Sequence, residues 1–297
     1  MNMTQKQKDF LDSFTCQRLT ADTFNKILIR KFTCKRNPRL AAYLHELAWE
    51  EDQDGAASFY VIKNQKDQVV FFFSLKCGAL FEPLDIESLR NQLNDRRKLL
   101  DAISNYRRGL ATDEELAAIE QKMQEYGMSV FELQWTLRDE VSEKNQKLSD
   151  AMKDFQDEHN PNISQVIRTY PAVELMHFCG RDGNKEAWKK YKSQYGFPPD
   201  STMGQVMFWY FVAPILLDIS QVLGCQYAYL FAADSTLKRE LIIYYNGLNF
   251  YSRTDLGTSK PRYDFTCEFM CQTLRDMKAF RDKYLENFNP DPGKFDV

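Results

Sequence analysis

Tyr170-Pro171-Ala172-Val173-Glu174-Leu175-Met176-His177-Phe178-Cys179 and Cys225-Gln226-Tyr227-Ala228-Tyr229-Leu230-Phe231-Ala232-Ala233-Asp234 are the stretches that decide the fold. Each is an apolar run of strand length. Between them lie a charged excursion and the apolar run Val206-Met207-Phe208-Trp209-Tyr210-Phe211-Val212-Ala213-Pro214-Ile215-Leu216-Leu217, read as a buried helix. Strand, helix, strand in this order predicts a parallel pair joined by a crossover. Open α/β sheets bind ligands in the crevice at the C-terminal ends of such strands, so function is expected there.

Working outward, Tyr244-Tyr245-Asn246-Gly247-Leu248-Asn249-Phe250 closes a short helix after the second strand. Phe250-Tyr251-Ser252 and Tyr263-Asp264-Phe265-Thr266-Cys267-Glu268-Phe269 read as further strands, followed by a charged helix to about Phe288 and a loose tail, Asn289-Pro290-Asp291-Pro292-Gly293. Upstream, residues 1–24 read as a helix and lead-in, and Lys26-Ile27-Leu28-Ile29-Arg30-Lys31-Phe32 as a strand. Asn37-Pro38 opens an amphipathic helix through Leu40, Tyr43, Leu44, Leu47 and Ala48. Ser58–Ile62 and Val69–Leu75, joined by the polar turn Asn64-Gln65-Lys66-Asp67, predict an antiparallel hairpin.

From 84 to about 165 the chain changes character. Ile86, Leu89, Leu93, Leu99 and Leu100 mark a charged amphipathic helix ending near Gly109. Thr112-Asp113-Glu114-Glu115 has the form of a capping box, opening a helix to Gly127. Another runs from about Ser129 to Asp157, stopped by His159-Asn160-Pro161. This region reads as a helical hairpin inserted into one domain of 1–297. It either pads the fold or acts as an arm for substrate selection or dimerisation.

The chain has 297 residues, net charge −3 and 43% hydrophobic residues, the profile of a globular protein with ample core. This mild acidity argues against bulk nucleic-acid binding. The apolar run 206–217, bounded by Gln205 and Asp218, falls short of the about 20 residues that span a bilayer. The seven scattered cysteines form no Cys-x-x-Cys pair, and Cys267 with Cys271 alone makes a poor zinc site, so no metal is expected. Buried free thiols and no signal peptide predict a reducing, cytoplasmic setting.

Phe32-Thr33-Cys34, Leu40, Tyr43-Leu44, Ala48, Gly55 and Tyr60-Val61, in that order, resemble the opening of the GNAT acyltransferase superfamily, closest to its toxin-like acetyltransferases. Tyr170–Cys179 is similar to that family's fourth strand. Phe231-Ala232-Ala233-Asp234 with Tyr244–Phe250 is similar to its final strand–helix signature. The resemblance covers about 26–80 and 170–270. It implies a mixed, twisted α/β sheet, acetyl-CoA as co-substrate, and direct attack of a primary amine on the thioester. The amine belongs to a small molecule, a protein or, in the toxin-like members, aminoacyl-tRNA. For the tRNA subclass Arg30, Lys31, Lys35, Arg36 and Arg39 form a candidate basic face, otherwise a solvated surface. The partners so implied are acetyl-CoA, an amine acceptor, tRNA and a second copy of the chain, with no membrane.

The chemistry asks for four groups. Met203, Gly204, Gln205 and Val206 open the apolar helix and are the candidates to hold the diphosphate on backbone amides; the alternative is an ordinary helix start capped by Ser201 or Thr202. The family's pyrophosphate loop keeps only Gly204 here, with Arg181–Asp200 inserted before it. Met176, His177, Phe178 and Cys179 are placed, on the resemblance, where a backbone amide polarises the thioester carbonyl. Tyr245 matches the family tyrosine that protonates the leaving thiolate, and Tyr244 should point elsewhere. Glu174 is a carboxylate in an apolar strand and the candidate base, or else a paired structural charge. Strand alternation sets Glu174, Met176 and Phe178 on one face and Leu175 and His177 on the other. The competing class is a non-catalytic binding module that uses the helical insertion.

Overall fold

The computed structural model describes residues 2–83, 86–154, 166–234, 236, 238–259 and 267–289. The His159-Asn160-Pro161 stop, residues 155–157 of the preceding helix, Tyr263–Thr266 and the tail from Pro290 lie outside these. In chain order the elements are α1 (Gln5–Asp12), β1 (Thr15–Arg18), α2 (Asn25–Ile29), α3 (Pro38–Glu46), α4 (Ala48–Gln53), β2 (Ser58–Lys63), β3 (Val69–Pro83), α5 (Ile86–Arg107), α6 (Asp113–Tyr126), α7 (Val130–Asp154), β4 (Val166–Gly180), α8 (Asn184–Tyr195), α9 (Met203–Met207), α10 (Ala213–Leu223), β5 (Tyr227–Ala232), α11 (Glu240–Asn246), β6 (Glu268–Thr273) and α12 (Leu274–Glu286).

The strands form one six-stranded sheet in the order β1-β2-β3-β4-β5-β6. β1/β2, β2/β3 and β5/β6 are antiparallel, and β4/β5 is parallel. The Val70–Arg181 and Ser74–His177 contacts run β4 antiparallel to β3. This mixed sheet with flanking helices agrees with the GNAT-type α/β fold that the resemblance implies. The hairpin turn is built by Asn64, whose side-chain oxygen accepts from the amides of Lys66 and Gln68, with Asp67 left-handed at φ 53°.

Two compact units divide the chain. One comprises Met1–Phe81 with Thr169–Val297, the other Glu82–Arg168. In the first, one sheet face buries Phe71, Phe73, Val173, Leu175, Ala228 and Leu230 against Val206, Phe208, Trp209 and Leu216 of the apolar helix. The opposite face packs Phe59, Val61 and Phe72 on α2–α4. Farther along this face Tyr229 and Leu80 form a smaller cluster. In the second unit Ala102, Ile103, Ile119, Leu133 and Leu137 join the three helices expected from the sequence. An Arg96–Glu140 ion pair and an Arg107–Gln134 bond of 2.8 Å tie α5 to α7. Thr112 and Glu115 close the anticipated capping box, and left-handed Gly127 (φ 63°) ends α6.

Several expectations fail for identifiable reasons. Lys26–Phe32 is not a strand: α2 covers Asn25–Ile29. Leu28, Ile29 and Phe32 are buried at helical spacing while Ile27 is exposed, and the Asn25 amide is anchored on the Leu19 carbonyl at 3.0 Å. Tertiary contacts override the β-branched composition. Phe250–Ser252 gives only a single bridge, Tyr251 to Cys271. The strand placed at Tyr263–Phe269 is β6 at Glu268–Thr273. The apolar run belongs to a helix over Met203–Leu223, 21 residues, long and apolar enough by length and composition to cross a membrane. Its inward residues, Trp209, Val212, Ala213 and Leu216, are nonetheless fully buried in the main core. Pro214 cannot donate a backbone bond, and the helix passes it through a π turn over Phe208–Val212. The cysteines are free, but Cys77 is exposed and Cys16 and Cys225 are only half-buried.

Candidate active site

The parallel ladder of β4 and β5 is short. It pairs Ala172 with Tyr227, Val173 with Ala228 and Glu174 with Tyr229, then stops. Both strands run on, β4 to Gly180 and β5 to Ala232. Beyond Glu174, the Met176–Cys179 stretch of β4 continues past the last residue paired with β5.

Alternation breaks at the same place. Leu175 packs in the helix-side core, Met176 packs on the α2–α4 side, and His177 stacks on Tyr43, Phe59 and Phe72 of that same side. Phe178 returns to the helix side, 5.5 Å from Phe71, and Cys179 goes back to the α2–α4 side. Two consecutive residues on one face are the mark of a bulge, which leaves backbone groups out of the ladder. The predicted grouping of Glu174 and Phe178 on one face fails for this reason. His177 is held through Nδ1 to the Ser74 hydroxyl at 2.7 Å, and burial lowers its pKa to about 4. Its side chain is a neutral packing element.

Glu174 is 7% exposed and accepts from the Tyr229 hydroxyl at 3.4 Å. Burial raises its pKa, against the Tyr229 bond and the Lys76 charge. Gly78 makes room for this pair: a Cβ there would lie 2.1 Å from the Tyr229 hydroxyl oxygen. Glu174 thus occupies the Tyr229 face of the sheet.

Tyr245 lies on the other face, in the helix-side core, 8% exposed and packed on Phe250. Burial, then the nearby Cys179, raises its pKa. Its hydroxyl has no hydrogen-bond partner among the described residues and is not among their fully buried orphan polar atoms, so the oxygen keeps contact with solvent. The helix that carries it is positioned by Asp234, just past β5. The Asp234 carboxylate accepts from the amides of Leu241 (2.7 Å) and Ile242 (3.2 Å) and from Thr236. Desolvation opposes its charge, and these donors together outweigh it, bringing its pKa down to about 2.

At the start of the apolar helix, Thr202 and Gln205 form a capping box, the alternative reading of this segment. Met203 and Val206 turn into the core. The amides of Met203 and Gly204 have no acceptor among the described residues. Tyr244, expected to point away, comes here: a Cβ on Gly204 would lie 2.6 Å from its hydroxyl. The adjacent tyrosines therefore divide between two parts of the candidate site, Tyr244 at Gly204 and Tyr245 near Cys179. Helical angles alone give no sign of this, because both contacts come from other elements.

No protein-family model matches the chain, and no curated protein matches it. Solved structures of bacterial toxins align with it. A tyrosine-to-phenylalanine mutant of the AtaT toxin, bound to the C-terminus of the antitoxin AtaR and acetyl-CoA, is 9% identical, covering 91% of this chain and 98% of its own at a TM-score of 0.45. A tyrosine-to-phenylalanine mutant of KacT is 8% identical, covering 90% and 99%, with a TM-score of 0.45. AtaT complexed with acetyl-methionyl-tRNAfMet is 10% identical, covering 90% and 98%, with a TM-score of 0.41.

Proposed function

We propose that this protein is a GNAT-type N-acyltransferase that moves an acetyl group from acetyl-CoA directly onto a primary amine. The observation that carries the reading is the ladder that stops at Glu174–Tyr229 while β4 and β5 continue. The sequence resemblance supplies the chemistry.

Each step falls to a residue of the chain. A β4 backbone amide within Met176–Cys179, released from the ladder by the bulge, donates to the carbonyl oxygen as it gains charge. Glu174, with its proton affinity raised by burial, takes a proton from the attacking amine. Tyr245 gives a proton to the departing thiolate; its own raised pKa makes it a proton carrier at neutral pH. Base and acid sit on opposite faces of the sheet, on either side of the gap that the acyl group would occupy. The free amides of Met203 and Gly204 would hold the diphosphate, the helix dipole adding to the attraction. Arg30, Lys31, Lys35, Arg36 and Arg39 are all exposed, and this basic cluster favours an acceptor amine attached to nucleic acid, as on aminoacyl-tRNA.

A non-catalytic module is the second reading, favoured by the capping box and by Tyr244 over Gly204, which close the helix start without a ligand. Thermal unfolding with millimolar acetyl-CoA, with CoA and ATP as controls, separates the two. Ligand at about 100 times its dissociation constant stabilises the fold by about 2.7 kcal/mol. A rise with both CoA forms and not ATP supports the transferase and leads to amine and charged-tRNA assays. No rise gives the module reading the lead.

A further inference from the structure

The chain's net charge of −3 hides a division: Glu82–Arg168 is acidic overall, and the remainder is basic. Part of that basic charge meets at the end of β4. The Asp182 amide donates to the Thr33 carbonyl at 2.8 Å, and the Lys35 amide donates to the Asp182 carboxylate at 2.9 Å. These bonds fasten the loop of Lys35 and Arg36 to the turn that opens α8. Two basic segments far apart in the sequence, that loop and Lys185–Lys192, thus become neighbours.

Helix α8 keeps its apolar side inward. Trp188 is buried and donates through Nε1 to the Ser201 carbonyl at 2.9 Å, while Tyr191 and Tyr195 pack on Phe10 of α1 with ring centres 4.7 and 4.2 Å away. The outer side presents Lys185, Lys189 and Lys190, all exposed and, among the described residues, in no ion pair. Lys192 is turned aside onto the Pro199 carbonyl. The carboxylates on these two segments are Asp182, occupied by the Lys35 amide, and exposed Glu186; Glu240 of α11 pairs with Arg36 at 3.6 Å. Unpaired lysines gathered on one exposed side repel one another and are relieved by a polyanion.

We propose that the exposed side of α8, continued by Lys35 and Arg36, binds the phosphodiester backbone of an RNA. That this RNA carries the acceptor amine rests on the transferase reading above; the surface itself is argued from charge and placement. A bilayer fits less well, because the apolar side chains of α8 are turned into the protein and leave nothing to insert. Helix α8 lies within Arg181–Asp200, the stretch inserted before Gly204 relative to the family's pattern, so the resemblance does not supply this contact.

The test is fluorescence anisotropy of the full chain with labelled deacylated tRNA, titrated at several salt concentrations. Each phosphate neutralised contributes about 0.7–0.9 to the slope of log Kd against log salt. The variant K185Q/K189Q/K190Q should bind at least about 10-fold more weakly at about 0.1 M salt, with the slope lower by about 2–3. Its unfolding midpoint should not move, since all three side chains are exposed. A matched control in the acidic segment, K98Q/K122Q/K147Q, should bind within about twofold of the native chain. Equal weakening in both variants would assign the binding to bulk charge and overturn the proposal. Unchanged binding in the α8 variant overturns it too, as does a native chain that takes phosphatidylserine vesicles and not tRNA. Thermal unfolding with acetyl-CoA keeps the two readings apart. A chain stabilised by acetyl-CoA whose tRNA affinity ignores the α8 lysines keeps the transferase and loses this surface. One that is not stabilised, yet loses tRNA with those lysines, keeps the surface and loses the transferase.

Discussion

The two edges of β5 behave differently. Toward β6 it pairs along its whole length, Tyr227 with Thr273 through Ala232 with Glu268. Toward β4 it pairs only over Tyr227–Tyr229. The same six residues thus form one edge that is structure and another that is half structure and half opening. The β6 edge is sealed by apolar packing, with Met270 fully buried opposite Leu230. On the β4 edge, beyond Glu174, the strand bulges, and Met176, His177 and Phe178 are all half-buried. In a sheet, backbone groups released from a ladder need other partners, and such exceptions concentrate at sites.

The largest expected effect breaks the comparison directly. Met270→Ala should lower unfolding stability by about 2–5 kcal/mol, the usual cost of a buried methionine cavity, whereas Met176→Ala on the open edge should cost under about 1 kcal/mol, near the range of exposed sites. Urea titrations of both variants read this. Equal losses would mean that the β4 edge is as closed as the β6 edge. Next comes Tyr245→Phe, which removes one hydroxyl that makes no internal hydrogen bond. Stability should be unchanged, while turnover falls by about 100-fold, a typical general-acid contribution. Unchanged turnover would remove Tyr245 from the chemistry.

The open edge also carries a pH signature. His177 has a folded pKa of about 4, set by burial, below the unfolded value of about 6.5. The unfolded chain therefore binds more protons between these values. Stability from this group is complete above about pH 6.5 and is lost as pH falls toward 4. Integrated from pH 7 to 5, the loss is about 2 kcal/mol. His177→Gln keeps a partner for Ser74 without titrating, and its unfolding midpoint should fall less than the native chain's over that window. Parallel falls would place the acid sensitivity elsewhere.

What was legible in the sequence follows how local each signal is. The capping box at Thr112–Glu115 and the strand–helix–strand order around the apolar run are written in neighbouring residues, and both appear as read. The misread segment, Lys26–Phe32, was decided by contacts from Leu19 and Lys63 that no local pattern contains. β1, a four-residue edge strand, has no apolar run to announce it. At the candidate site the same division holds. Glu174 stood out as a charge in an apolar strand. The bulge that reverses Phe178, the arrival of Tyr244 at Gly204 and the Gly78 notch for Tyr229 all arise from packing between elements far apart in sequence.

Asp234 gives the smallest test and the one closest to the end of the open edge. Helix α11 begins after Arg239, which sits left-handed at φ 51° and supplies no side-chain cap. Asp234 caps it from outside, accepting from Leu241 and Ile242, and so fixes the helix to the end of β5. Asp234→Ala leaves those amides unpaired and should cost about 1 kcal/mol, the usual worth of a helix N-cap. Because the helix carries both Tyr244 and Tyr245, the variant should also lose turnover, with kcat falling more than any change in KM for acetyl-CoA. Asp234→Asn keeps one acceptor oxygen and should recover most of the stability. If Asp234→Ala is destabilised but turns over normally, the cap serves folding alone, and Tyr245 is placed by its own packing on Phe250.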